Sequence, residues 1–433
     1  MGRVRPVEPA PPADAGWVNL VAAMKKVFHG WTMVGAGSLM QFVQGTLLLH
    51  SFGAYFAILR DDRGWTKTEL SGAAAMHQLE AAVLGPVLGW FLDRFGAAWV
   101  IRIGVIVFGC GFMLLSTIDS LLAFYGAFIM TALGASLCGF FPLNVALIRW
   151  FEKRRARALS SMQLGMAAGG LCVPLVAWAL AAWGWRATAF ASGILIIAVC
   201  LPLSFVFKHR PEDIGERVDG IGPHAEEKIP GERTDDTRDF TAREALGTQA
   251  FWLLSLGHSF ALFVVMAVNT HAITHMKEGL GYTIEAAALV ITLQTVAQLC
   301  GVATGAWIGD RMDKRSAAAG CMLGHMTGLL CLAYAANSAM VVLYAVVHGF
   351  SWGLRGPLMQ AIRADYFGRS AIGMILGLSF MIIVIGQIGG PMIAGILSDM
   401  TGNYRAGFTV LALLAGLGSA FFLLARRPRR PLR

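Results

Sequence analysis

An apolar run over about residues 71–92 stops on a charged pair in the stretch GWFLDRFG, Gly89 to Gly96. Asp93 and Arg94 side by side at the end of an apolar helix do not stay in hydrocarbon, so the stretch marks a helix leaving a membrane. Glycine on either side permits a tight return turn. The pair recurs as Asp310 and Arg311, in AWIGDRMDKR, 217 positions later and again at the end of an apolar run. That repetition implies a duplicated half.

The rest of the chain fits this pattern. Apolar runs cover about 31–59, 71–92, 98–118, 121–148, 156–182 and 186–207, then about 249–275, 284–308, 316–336, 339–362, 371–397 and 405–425. Each approaches or exceeds the roughly 20 helical residues that cross a bilayer. The expected fold is an all-α membrane protein of twelve transmembrane helices in two pseudo-symmetric six-helix bundles. The expected divisions are a disordered tail over 1–26, bundles over 27–207 and 248–426, a charged linker over 208–247, and a basic tail over 427–433. Other pairs keep the same offset, Gly64-Trp65-Thr66 with Gly281-Tyr282-Thr283 and Pro174 with Pro391.

A net charge of +9 would suit nucleic acid, but the basic residues fall in short stretches between the apolar runs. They read as topology signals. Segments on the side of both termini hold 28 Lys and Arg against six on the other, which puts both termini in the cytoplasm of a multi-pass plasma or bacterial inner membrane protein. The seven Cys lie inside apolar runs without metal-ligand spacing and read as small hydrophobes. No P-loop, nucleophile elbow or zinc-hydrolase sequence occurs, which sets aside ATP-driven pumping and hydrolysis. Neither a metal nor another cofactor is expected, and the chain reads as no enzyme.

Two six-helix halves, an Asp-Arg turn after spans two and eight, and the basic loop Arg149-Trp150-Phe151-Glu152-Lys153-Arg154-Arg155 together resemble the major facilitator superfamily over about residues 27–426. Four further features resemble its branch of monocarboxylate carriers and oxalate/formate exchangers. They are Gly30-Trp31, Gly64-Trp65, Arg210-Pro211-Glu212-Asp213 and Ala364-Asp365-Tyr366-Phe367-Gly368-Arg369. The resemblance implies alternating access, with two halves rocking about a site near the midplane. It also implies that Asp93, Arg94, Asp310 and Arg311 serve the gates. Helix polarity supplies a reason: span eleven begins on the side where span two ends, and its N-terminal amides attract a carboxylate by roughly 0.3 to 2 kcal/mol. Asp310 would act likewise on span five. The plainer alternative is that both pairs merely terminate helices. The chain departs from the branch in span eight, where an Arg that holds the substrate carboxylate is replaced by an apolar run carrying Gln294 and Gln298.

Buried polar residues then suggest the site. Arg355 lies within span ten, where a guanidinium costs about 2.5 to 3.5 kcal/mol on insertion scales and should face the bundle interior. A substrate carboxylate would satisfy it through bidentate hydrogen bonds; a permanent bond to backbone carbonyls, to Gln360 or to another helix is the structural alternative. Glu80 is the one carboxylate deep in a span, with His77 a turn outward and His50 at similar depth in span one. Glu80 and His77 are candidates for proton coupling, against a purely packing role or a metal site with His50. Gln44, Asn269, Gln294, Gln298, Gln387 and His50 are candidate substrate contacts. The expectation is a secondary transporter of a small, monocarboxylate-like organic anion with protons, monomeric in lipid and without nucleic-acid partners. Alternatives are an exporter of bulky hydrophobic or metal-chelating solutes and a nutrient sensor that does not transport.

Overall fold

A computed structural model describes residues 28–65, 67–220 and 238–432. The expected tail over 1–26 and the middle of the linker lie outside the described residues. Nine described helical runs are long and apolar enough to cross a membrane. One of them, Arg155–Ser204, holds two passes, because Gly184 at φ +76° breaks the helix between them. Lys67–Phe95 and Ser338–Phe367 are the two further long helices, each carrying polar residues, and they complete twelve passes. The protein is an all-α membrane protein.

Span one is His29–Gln44, a π-helical turn at Gly45–His50 and then Phe52–Arg63. Span two is Lys67–Phe95 and span three Ala97–Leu115. Span four bends at Gly139 between Leu121–Cys138 and Phe140–Trp150. Span five runs from Arg155–Gly169 through a 3-10 turn at Gly170–Cys172 into Val173–Ser204, whose part beyond Gly184 is span six. Spans seven to twelve are Gln249–Leu280, Ile284–Ile308, Lys314–Ala333, Ser338–Phe367, Ile372–Thr401 and Arg405–Leu424.

In the first half, span one packs on span five and span three on spans four and six. In the second, span eight packs on ten, seven on eleven, and nine on ten and twelve. The halves meet where span two crosses eleven and where five crosses eight. Small residues bring spans two and eleven together: a Cβ on Gly89 would lie 2.4 Å from the Gly373 carbonyl oxygen. The irregular turns of spans one, four and five sit in the first half. Non-helical backbone at membrane depth is tolerated where it is covered by protein or borders a cavity, and Gln44 and Phe140, at two of these breaks, line one.

Span ten reaches Phe367 rather than stopping near 362, because its polar residues find partners inside the bundle and Gly368 at φ +88° is the first position to break the helix. Arg363, counted among loop charges from hydropathy, is therefore a helical residue and 1% exposed.

Candidate functional site

A cavity of about 200 Å³ lies between the halves. Gln44 of span one, Leu84 and Leu88 of span two, and Ser136 and Phe140 of span four form one wall. Gln360 and Arg363 of span ten face them, with Ser379, Phe380 and Gln387 of span eleven. An apolar lining with a few convergent polar groups suits a small solute with one polar end.

Arg363 supplies the cavity's charge. One terminal nitrogen donates to the Met359 carbonyl at 2.8 Å, and the other to the Leu254 carbonyl at 3.2 Å and to His258 Nδ1 at 3.4 Å. Its Nε has no hydrogen-bond partner among the described residues. These partners are acceptors without a negative charge, and no carboxylate among the described residues pairs with the guanidinium.

Arg355 stands eight residues earlier on the same helix, about 80° around the axis at 100° per residue. With Arg363 turned to the cavity, Arg355 is turned into the second bundle, and it is not among the cavity-lining residues. Its Nε donates to His325 Nε2 at 3.4 Å. That bond requires His325 to carry its proton on Nδ1, which then donates to His348 Nδ1 at 3.1 Å. Arg355 Nη1 and His348 Nε2 are buried without partners among the described residues. Beside this chain the Tyr344 hydroxyl donates to Gln294 Oε1 at 2.5 Å.

Glu80 touches the cavity at one remove: its Oε2 accepts from the Ser136 hydroxyl at 3.3 Å, and its Oε1 is buried without a partner among the described residues. The His77 side chain lies outside the described residues. His50 is turned to span five, 3.3 Å from the Met166 carbonyl, and no hydrogen bond joins it to Glu80 among the described residues. Gln44 and Gln387 line the cavity, whereas Asn269 is exposed and Gln298 is half-buried against span ten.

The face that carries the basic loops is closed. Asp93 Oδ1 accepts from the Gly373 amide at 3.0 Å and Oδ2 from the Met374 amide at 2.8 Å, at the N-terminus of span eleven. Asp310 does the same on span five, accepting from Ala156 at 2.7 Å and Arg157 at 3.3 Å. Burial pushes the Asp310 carboxyl above its ordinary pKa, against the two amides that favour its charged form. Arg94 and Arg311 stay on the exposed surface. Adjacent helical residues point about 100° apart, so an Arg94 next to an inward Asp93 turns out, and it lies over the Trp90 ring at 5.6 Å.

The cation on Asp93 is Arg149, at 2.9 Å, which sequence reasoning left in the loop. Arg149 also donates to His209 Nδ1 at 2.9 Å, and burial together with this guanidinium holds the His209 imidazole below its usual pKa. Across the halves, Asp365 pairs with buried Arg155 and Arg369 donates to the Arg149 carbonyl at 3.0 Å, while within its own half Asp365 also pairs with Lys314 at 2.9 Å. Position in the basic loops was the available signal for Arg149 and Arg155. None was available for the histidines that hold the arginines.

Comparison with known proteins supports the same architecture. The sequence profile described as Major Facilitator Superfamily matches residues 37–283 and 254–433. Monocarboxylate transporter 13 of Bos taurus is 26% identical over 94% of this chain and 90% of its own length. Monocarboxylate transporter 11 of Mus musculus is 26% identical over 96% and 89%. Among solved structures, the E. coli fucose:proton symporter is similar in fold with a TM-score of 0.71, at 13% identity over 93% of this chain and 99% of that one.

Proposed function

Because the chain belongs to the Major Facilitator Superfamily and is a multi-pass secondary transporter of small solutes, we propose that it carries a small monocarboxylate-like anion together with protons. The observation that carries this reading is Arg363, a buried guanidinium on the wall of an apolar cavity whose protein partners are two carbonyls and an imidazole. A carboxylate is the ligand that neutralises such a group, and bidentate hydrogen bonds orient it. Arg363 thus takes the anion-binding role that the sequence suggested for Arg355. The names of the monocarboxylate transporters it resembles agree with that chemistry.

Glu80 is the proposed proton site, since Ser136 links it to the cavity and its second oxygen has no hydrogen-bond partner among the described residues. The basic face is cytoplasmic on the excess of Lys and Arg, so the closed latches of Asp93 and Asp310 form the cytoplasmic gate. The test is uptake of labelled pyruvate and lactate into proteoliposomes under a pH gradient. Uptake by the wild type that Arg363→Gln loses is expected. Uptake unchanged in Arg363→Gln, or wild-type vesicles inert to both acids, overturns the reading.

A further inference from the structure

Two aspartates of the linker repeat, on the two loops behind the gate, the contact that Asp93 and Asp310 make in front of it. Asp219, just after span six, accepts from three successive amides of the loop between spans four and five: Glu152 at 3.2 Å, Lys153 at 2.8 Å and Arg154 at 3.3 Å. Asp239, just before span seven, accepts from Arg369 at 2.8 Å and Ser370 at 3.1 Å in the loop between spans ten and eleven. Successive amides turned to one side make a concavity for an anion. Glu152 and Lys153 are separated from Arg369 and Ser370 by 217 positions, the offset that relates Asp93 to Asp310. The same offset relates Ala156 and Arg157, which receive Asp310, to Gly373 and Met374, which receive Asp93.

Each receiving helix therefore starts with two adjacent amide clusters. The inner holds the gate carboxylate of the opposite bundle, and the outer holds a carboxylate from one flank of the linker. Both outer contacts are fixed by special backbone. Asp219 is 7% exposed and, among the described residues, is the one non-glycine with positive φ, at 59°, a conformation that costs free energy unless its surroundings impose it. Opposite Asp239, a Cβ on Gly368 would come within 2.0 Å of the carboxylate, so only glycine leaves room. The Phe240 amide donates to the Phe367 carbonyl at 3.0 Å and locks the same corner.

We propose that Asp219 and Asp239 are positioning residues of the transport cycle: each pins the loop that aims two backbone amides at the gate carboxylate of the other half, Asp219 for Asp310 and Asp239 for Asp93. The linker flanks are thus part of the gate rather than a tether. The proposal rests on the gating role of Asp93 and Asp310 for its functional meaning, while its structural content is a crossed pairing that can be read separately.

The test is amide hydrogen exchange on the full chain in lipid nanodiscs. Asp219→Ala is expected to speed exchange about tenfold at residues 156–157 and leave 373–374 within about twofold; Asp239→Ala is expected to do the reverse. Asp219→Asn and Asp239→Asn, which keep one acceptor oxygen, should show the same crossed pattern with smaller size and cover failure of the alanine variants to fold. In transport, Asp219→Ala should be non-additive with Asp310→Asn and additive with Asp93→Asn. Loss of protection at 152–154 with 156–157 unchanged, or equal loss at both helix starts in each variant, overturns the proposal. If Asp93→Asn and Asp310→Asn both transport normally while the crossed exchange pattern holds, the gating reading fails and the positioning stands.

Discussion

The carboxylate of Asp93 bridges the two halves of the molecule by accepting from the backbone amide of Gly373 at 3.0 Å, while Arg149 of its own half holds the same oxygen at 2.9 Å. The carboxylate is a hinge pin between a side chain and a helix end.

Asp93→Asn should lower transport by about tenfold or more without lowering the amount of protein in the membrane. An amide side chain keeps one acceptor but places a donor against one of the two backbone N–H groups and leaves the buried Arg149 without its counter-charge. Initial uptake rates normalised to protein in the membrane check this, and a wild-type rate would refute it.

Arg363→Lys should cost at least about tenfold in uptake efficiency, because an ammonium cannot keep the Met359 and Leu254 carbonyl bonds and still meet a carboxylate in bidentate geometry. Arg355→Lys should instead act on stability, since the group it contacts is His325 inside the bundle. Uptake and thermal unfolding measured on both variants separate the two arginines.

Glu80→Gln should abolish the dependence of uptake on a pH gradient while preserving exchange of labelled for unlabelled anion. The Ser136 bond can be kept by the amide oxygen, so the cavity wall survives. A variant that still accumulates anion along a proton gradient would remove Glu80 from the coupling.

Acid should weaken the corner behind Asp93 through His209. Its folded-state pKa is held below the ordinary 6.5 by burial first, then by Arg149 and Arg210, with Asp213 opposing. The unfolded chain therefore takes up the proton first as pH falls. Stability from this contact is complete above about pH 6.5 and is lost as pH drops through the lowered pKa. Thermal unfolding at neutral and acid pH should show a larger acid loss for the wild type than for His209→Gln, which offers Arg149 an acceptor that does not titrate.

Which contacts could be read from the chain follows from what each depends on. Asp93 and Asp310 were legible because chain direction fixes where a helix N-terminus lies, and a carboxylate at a membrane exit needs a donor. Arg149 was hidden behind Arg94, which is adjacent in sequence but turned about 100° away. Arg363 was hidden by the hydropathy of its neighbours, which fades near 362 while the helix continues to Phe367. His258, His325 and His348 stand singly in apolar runs, and only tertiary contact reveals that His258 and His325 hold the guanidiniums. In a charged linker, a carboxylate on backbone amides looks no different from one in water, so Asp219 and Asp239 gave no sign.

That Asp93 is received by main-chain N–H groups makes the fastening heritable in a lopsided way. Exchanging Met374 for any other residue but proline leaves its donor intact, because every such residue supplies the same amide. Mutational drift along span eleven can therefore crowd or loosen this junction, but it can hardly erase it. Loss by a single ordinary substitution has to come from the acidic side or from a side chain at Gly373 or Gly89, whose Cβ would meet the facing backbone at 2.6 or 2.4 Å.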